Sequence, residues 1–419
     1  MKIGRSFWIA LAMTAIMAIA AWRTQDIWFE RVATLCFGII ILSYIWAKFS
    51  LLPITIECTA REYRQQIGQY FKEKFVINNQ SILGRLWLEI QDISALNDQP
   101  GSVVISHLAP NESRTFLTRT LLAQRGKFPL GPLKIISGDP FGIFRASSLV
   151  QVKHHVLVYP QIFKLDGFPT LPGYLTGGHQ KKQKTTEVTP YAAGVREYQP
   201  GDPLSRIHWK TTARRDRVMV KEFEQDPQTQ VWLFIDCNCT YAAGIDHLET
   251  GSRRGASQIG RIYQGEMVPQ HTFEYLISAA GSVADYYIRQ NYNVGLASSG
   301  EIWFDLPMER GERQYQKLME AFALIKCDGN TPVSELVETK SQKVNRGSTI
   351  VLFTSDNTDH LSRAVGSMLR HKYQPIVVFA ESGSFGGSYG PLPIIPAIVP
   401  VITLRRGEGI KEKLEGRLK

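Results

Sequence analysis

A chain of 419 residues with 21% charged residues is long enough for two or three domains with sizeable cores, which disfavours a single domain. Its five cysteines (Cys36, Cys58, Cys237, Cys239 and Cys327) are too scattered for a disulfide framework, which excludes the small bridge-stapled folds. The formal net charge of +10 chooses no partner by itself, because nucleic acid and an anionic membrane leaflet would both attract it.

Residues 1–50 stand apart. Phe7 to Trp22 and Val32 to Phe49 are almost purely apolar, and the short loop between them carries Arg23, Asp26, Glu30 and Arg31. This pattern predicts a transmembrane hairpin of two helices. The first stretch alone also reads as a cleaved signal peptide, since Lys2 and Arg5 form a basic start and "AIAAW" supplies small residues; the second stretch directly behind it favours the hairpin. Lys2, Arg5, Lys48, Arg61 and Arg64 flank the outer ends of the helices, a bias towards the cytoplasm that the two loop arginines weaken. The expectation is a cell-membrane protein whose soluble domains are cytoplasmic.

From residue 51 to 166 short alternating stretches such as "LPITIECTA", "RLWLEIQDI" and "SVVISHL", broken by Asn, Pro and Gly, predict a β-sandwich domain. Within it, "RGKFPLGPLKIISGDPFGIFR" (125–145) reads as strand ends and tight turns. Residues 167–217 hold a polar linker with Lys181, Lys182 and Lys184, then a basic motif. In that motif Asp202 before Pro203 reads as a helix start, Arg206 and Lys210 share a helical face, and Trp209 is an aromatic anchor. These basic residues suit phosphates, a partner's acidic side chains or the chain's own aspartates, and an interdomain clamp is the plainer reading. No nucleic-acid-binding module is recognisable.

Residues 218–419 alternate strands with helices. The apolar runs "VWLFI", "NVGLAS", "STIVLFT" and "QPIVVFA" read as buried parallel strands. Helical patterns fit Phe273 to Ile288, Glu312 to Ile325 and His360 to His371. The order implies an α/β domain covered on both faces, with "IVPVITL" at an edge because Pro400 lacks a ladder donor.

Ligands of open α/β sheets collect at the carboxyl ends of the strands, where Asp236 and Asp356 follow two apolar runs. Strand alternation through "DCNCT" points Asp236, Asn238 and Thr240 one way, and Cys237 and Cys239 the other. Two aspartates with nearby Thr354 and Ser355 suit a hard cation; the plainer alternative is that they cap the following turns. The thiols read as small buried side chains, since no CxxC or His pair accompanies them. GxxxxGK[ST] and HExxH are absent, which disfavours an ordinary NTPase or zinc hydrolase.

Arg196, Tyr198, Pro200, Gly201, Asp202, Arg206, Ile207, Trp209, Ala213 and Arg214, leading to Asp236, together resemble the domain of unknown function 58 family. The runs Arg125 to Pro132, Asp139 to Phe144 and Val158 to Pro160, and the amino-terminal hairpin, look like the same family. The resemblance implies a C-terminal α/β von Willebrand factor A-like (Rossmann-like) domain with a metal-ion-dependent adhesion site. Asp236, Asn238 and Thr240 would occupy its DxSxS positions, Thr331 would be its threonine and Asp356 its last aspartate. It further implies bound magnesium, a partner's acidic residue completing the shell, and work beside a MoxR-type AAA+ ATPase in assembly or maturation of other proteins. The expected role is a binding module, not an enzyme. Asn238 departs from the expected serine, and the polar stretch 241–270 interrupts the passage into the next helix. A metal-free scaffold in cell-envelope biogenesis and a hydrolase using Asp236 and Asp356 on a metal-bound water are the alternatives.

Overall fold

The computed structural model describes residues 2–50, 54–60, 63–81, 84–93, 96, 102–152, 154–169, 192–199, 202, 204–223, 230–245, 268–388, 390 and 392–416. The linker 171–190 and most of the 241–270 stretch lie outside the described residues. Two compact units divide the chain. One comprises residues 1–161, 245–274 and 319–324, and the other residues 162–244, 275–318 and 325–419.

The first unit opens with β1 (Lys2–Ile3), α1 (Arg5–Thr24) and α2 (Ile27–Phe49). Gln25 takes a left-handed conformation (φ 52°) to end α1, and Asp26 accepts the Trp28 N–H to start α2. Both helices are long and apolar enough to cross a membrane. At 20 and 23 residues each spans about 30 Å or more, the thickness of a bilayer's hydrocarbon core.

Ten strands follow: β2 (Ile54–Ala60), β3 (Arg64–Gln66), β4 (Tyr70–Asn79), β5 (Arg85–Asp92), β6 (Ser102–Leu108), β7 (Ser113–Leu121), β8 (Gly126–Pro129), β9 (Leu133–Gly138), β10 (Phe144–Val150) and β11 (His155–Tyr159). They form sheets of order β1-β10-β9-β5-β6, β2-β4-β7 and β3-β11-β8. Ile77 of β4 is buried in one cluster with Leu88 and Ile90 of β5, Ile105 of β6 and Ile135 of β9, so side chains of two sheets meet in a common core. β4 shows the period of two that this packing demands, with Phe71, Phe75 and Ile77 buried and Lys72 and Lys74 exposed.

In the second unit β12 (Ala192–Glu197) and β13 (Met219–Phe223) pair antiparallel, and the chain between them forms α3 (Trp209–Arg215). The remaining elements in chain order are β14 (Gln230–Ile235), α4 (Thr272–Arg289), β15 (Asn293–Ser298), β16 (Asp305–Glu309), α5 (Glu312–Leu324), α6 (Val333–Ser341), β17 (Thr349–Thr354), α7 (Asp359–Arg370), β18 (Gln374–Ala380), β19 (Val401–Leu404) and α8 (Ile410–Leu414), of which residues 272–274 and 319–324 are counted with the first unit. Six strands make one sheet of order β16-β15-β14-β17-β18-β19, parallel except for β16.

The predicted runs become these parallel strands, and β19 begins just after Pro400 at an edge. β16 was not anticipated, because "DLPME" carries a proline and two acids and forms only by pairing with β15. Trp232 and Phe234 of β14, Ile350 and Leu352 of β17, and Val377 and Phe379 of β18 share a core with α6 and α7. Alternation sends Val231, Leu233 and Ile235, also buried, to the opposite face. A sheet covered on both faces needs apolar residues at every position, and this is why the strands read as unbroken runs.

Candidate functional site

Chain order across the central sheet is 3-2-1-4-5-6: after β14 the chain builds β15 and β16 on one side, then returns to build β17, β18 and β19 on the other. In open α/β sheets ligands collect beyond the carboxyl ends of the strands where the strand order reverses, here at β14 and β17. Asp236 is the residue directly after β14, and Asp356 lies two residues after β17.

Thr354, the last residue of β17, joins them. Its hydroxyl donates to Asp236 Oδ2 (2.7 Å) and accepts the Asp356 N–H (2.9 Å), while the Asp236 N–H donates to the Phe353 carbonyl (2.9 Å). Asp236 Oδ1 accepts the Asn238 N–H (3.0 Å), and Asp356 Oδ1 accepts the N–H and hydroxyl of Thr358 at 2.8 and 2.6 Å. The turn-capping role is therefore real for part of each carboxylate. Asp356 Oδ2 is different: it is buried and, among the described residues, has no hydrogen-bond partner, in a residue only 1% exposed. Burial pushes the Asp236 carboxyl up to about 7, with the charge of Asp356 adding to the rise, against the hydrogen bonds from Thr354 and Asn238.

The alternation expected through "DCNCT" ends with β14 at Ile235. Asp236 and Asn238 instead accept backbone N–H groups two residues ahead, and Cys239 to Tyr241 forms a short 3-10 turn. Short polar side chains compete with the ladder in this way wherever a strand runs out. Cys237 is buried, as expected of a packing thiol; Cys239 is exposed, contrary to that expectation, with its Sγ 3.7 Å from Asn330 Oδ1. Asn238 is buried and its Oδ1 is engaged by the Thr240 N–H (3.0 Å), while Thr240 itself is exposed.

Thr331 lies two residues beyond Gly329, whose backbone exchanges hydrogen bonds with Cys237 and Cys239 and pairs beside Asn238. A Cβ on Gly329 would stand 2.4 Å from the Ser299 carbonyl oxygen, so only glycine allows this approach. Ser299 also accepts the Cys237 N–H on its hydroxyl (3.0 Å). The structure thus joins Asp236, Asn238 and Asp356 around Thr354, and seats the half-buried Thr331 in the adjoining loop. The supporting roles of Gly329 and Ser299 were missed, because each acts through a contact distant in sequence.

Among the described residues no group of three or more His, Cys, Asp or Glu side chains is placed to hold a metal ion. A cation here would rest on two carboxylates with hydroxyl and amide oxygens. That all-oxygen set, with one buried carboxylate oxygen unsatisfied, fits magnesium, which needs few protein ligands and keeps several waters.

The basic motif builds a second constellation. The two terminal guanidinium nitrogens of Arg196 donate to the two oxygens of Asp202 at 2.7 Å, and Asp202 also accepts the Gln199 N–H (2.9 Å). Asp202 therefore closes the turn after β12 instead of starting a helix. The cap of α3 is His208, whose Nδ1 accepts the Thr211 N–H (3.2 Å). Arg206 sits in the preceding 3-10 turn, so it shares no helical face with Lys210; its side chain lies outside the described residues. Trp209 and Lys210 are exposed, the indole 70% so.

Residues 194–252, which contain this constellation and the first aspartate, match the model of the family described as "Protein of unknown function DUF58". Over these residues the chain is similar to the DUF58 family. A relative, "Uncharacterized protein YeaD" of Bacillus subtilis (strain 168), is 24% identical over 217 residues, 50% of this chain and 45% of that protein. The match thus spans less than half of that relative's length.

Slight likenesses to solved structures include the CARDB domain of a Pyrococcus furiosus protein in complex with di-metal ions (13% identity, 25% of this chain, 91% of that chain, TM-score 0.18). Proximal thread matrix protein 1 from the mussel byssus (6%, 36%, 35%, TM-score 0.24) and the sporulation control protein Spo0M from Bacillus subtilis (11%, 25%, 49%, TM-score 0.16) are others. At such scores they bear on neither fold nor activity. The DUF58 match ends before β15, so it reaches Asp236, Asn238 and Thr240 but not Thr331 or Asp356.

Proposed function

We propose that this protein belongs to the DUF58 family and is a membrane-anchored binding module whose von Willebrand factor A-like domain takes magnesium at the carboxyl ends of β14 and β17. The observation that carries the reading is the unsatisfied, buried Asp356 Oδ2 beside Asp236 at the point where the strand order reverses. Asp236 and Asp356 would hold the ion, with Asn238, Thr240 and Thr331 as the remaining oxygen donors. Bound there, magnesium supplies a coordination position that a partner's carboxylate completes, which makes recognition metal-dependent. The chain's own residues do the rest: Thr354 fixes the two carboxylates relative to each other, and Gly329 seats the Thr331 loop against Asn238.

The partner proposed is a MoxR-type AAA+ ATPase, with the soluble domains in the cytoplasm and the pair acting in assembly or maturation of other proteins. The role is binding and not catalysis. One observation favours a metal-free scaffold as second reading: both oxygens of Asp236 and the Oδ1 of Asn238 already have protein partners. Purification of the tagged full chain from native membranes separates the two. The proposal expects a MoxR-type ATPase to co-purify in magnesium and to be lost with a chelator or in Asp236→Ala. Capture that ignores both treatments would favour the scaffold, and no ATPase at all would remove this partner.

A further inference from the structure

The segment "DPFGIF" forms a tight turn between β9 and β10 whose shape is fixed from within. Asp139 is 1% exposed, and its two carboxylate oxygens accept the N–H groups of Phe141 (2.9 Å) and Phe144 (2.6 Å). Gly142 takes the left-handed conformation (φ +69°) that lets the chain reverse there.

One side of this turn is seated on the apolar hairpin. Ile143 and Phe144 are buried in a cluster with Ala47, against Phe7, Ala10, Ile39 and Ile40. The Phe144 ring lies 5.5 Å from that of Phe7 and 5.7 Å from that of Tyr44. The Gly4 N–H donates to the Ile143 carbonyl (2.9 Å), and a Cβ on Gly4 would stand 2.3 Å from the Gly142 carbonyl oxygen. The buried Arg85 donates to the Phe49 carbonyl (2.7 Å) where α2 ends. The turn therefore sits where α1 begins and α2 finishes, at the end of the hairpin that would meet the bilayer surface.

The other side of the turn faces outward. Pro140 is exposed and Phe141 is 59% exposed, and Arg5, Lys48 and Arg145 are exposed nearby in the chain elements that meet there. An exposed ring held on a rigid turn, flanked by cations at a membrane boundary, matches the headgroup region of an anionic bilayer: the ring enters the acyl border and the cations meet lipid phosphates. We propose that the Asp139–Phe144 turn is a lipid-facing anchor, with Phe141 inserted at the interface of the bilayer that α1 and α2 cross. This inference rests on the reading that the two helices span a membrane.

Full-length protein reconstituted in phosphatidylcholine and phosphatidylglycerol vesicles tests it. An environment-sensitive fluorophore is placed either on native Cys36 within α2 or on Phe141→Cys, the other accessible cysteines being replaced. Quenchers are a nitroxide near the top of the lipid acyl chain and aqueous iodide. The anchor predicts loss of fluorescence at 141 with the lipid nitroxide and shielding from iodide. Lipid quenching at Cys36 with iodide quenching alone at 141 would overturn the anchor while leaving the membrane reading intact. Absence of lipid quenching at both positions would overturn both.

Discussion

Asp236 is the buried carboxyl at the end of β14. A carboxyl pushed up to about 7 by burial, where an unfolded chain holds it near 3.8, binds protons more tightly in the folded protein. Its contribution to stability is therefore full at acid pH and is lost as pH rises through about 7, the reverse of an ion-paired aspartate. Glu73 in the first unit behaves alike, pushed up to about 7 by burial and then by Asp92. Without added metal, thermal midpoints should fall between pH 5 and 8, and Asp236→Asn should flatten part of that slope and raise stability at pH 8 by on the order of a few kcal/mol. An Asn variant less stable than the parent at pH 8 would show that the carboxylate is held as a charged structural group. Sequence named Asp236 and Asp356, since each follows an apolar run. It could not show that Thr354 joins them, because that contact spans β14 and β17.

At the scale of elements, strands were the legible part. A parallel strand buried on both faces must be an apolar run, whatever its neighbours. Its end is less legible: period two says where side chains point only while the ladder lasts, and after Ile235 the side chains of Asp236 and Asn238 bend the chain into turns. The start of α3 was misplaced for a related reason, because Arg196 takes the carboxylate of Asp202 that would have capped it. The loop 327–331 depends on one glycine. Gly329→Ala would press a methyl into the Ser299 carbonyl, at a cost of about 1–3 kcal/mol in overpacking. The thermal midpoint should drop, and hydrogen exchange at the Cys239 N–H, which donates to Gly329, should quicken. Unchanged exchange would mean that the loop yields without disturbing the strand end.

For the whole molecule, an apolar hairpin and a β-rich unit stand with a six-stranded α/β unit whose strand reversal carries two buried aspartates. Composition points to the hairpin, while the +10 charge leaves lipid and nucleic acid unresolved; the exposed Arg5, Lys48 and Arg145, on elements that meet the Asp139–Phe144 turn, supply one concrete place where such charge would meet lipid. The aspartate pair is proposed to hold magnesium. Calorimetric titration of the full chain in detergent with magnesium at pH 8, beside Asp236→Ala, tests it most directly. Saturable heat is expected in the parent, with weaker binding at pH 6 where Asp236 is protonated, and none in the variant. No heat in the parent at pH 8, or equal heat in the variant, would contradict it.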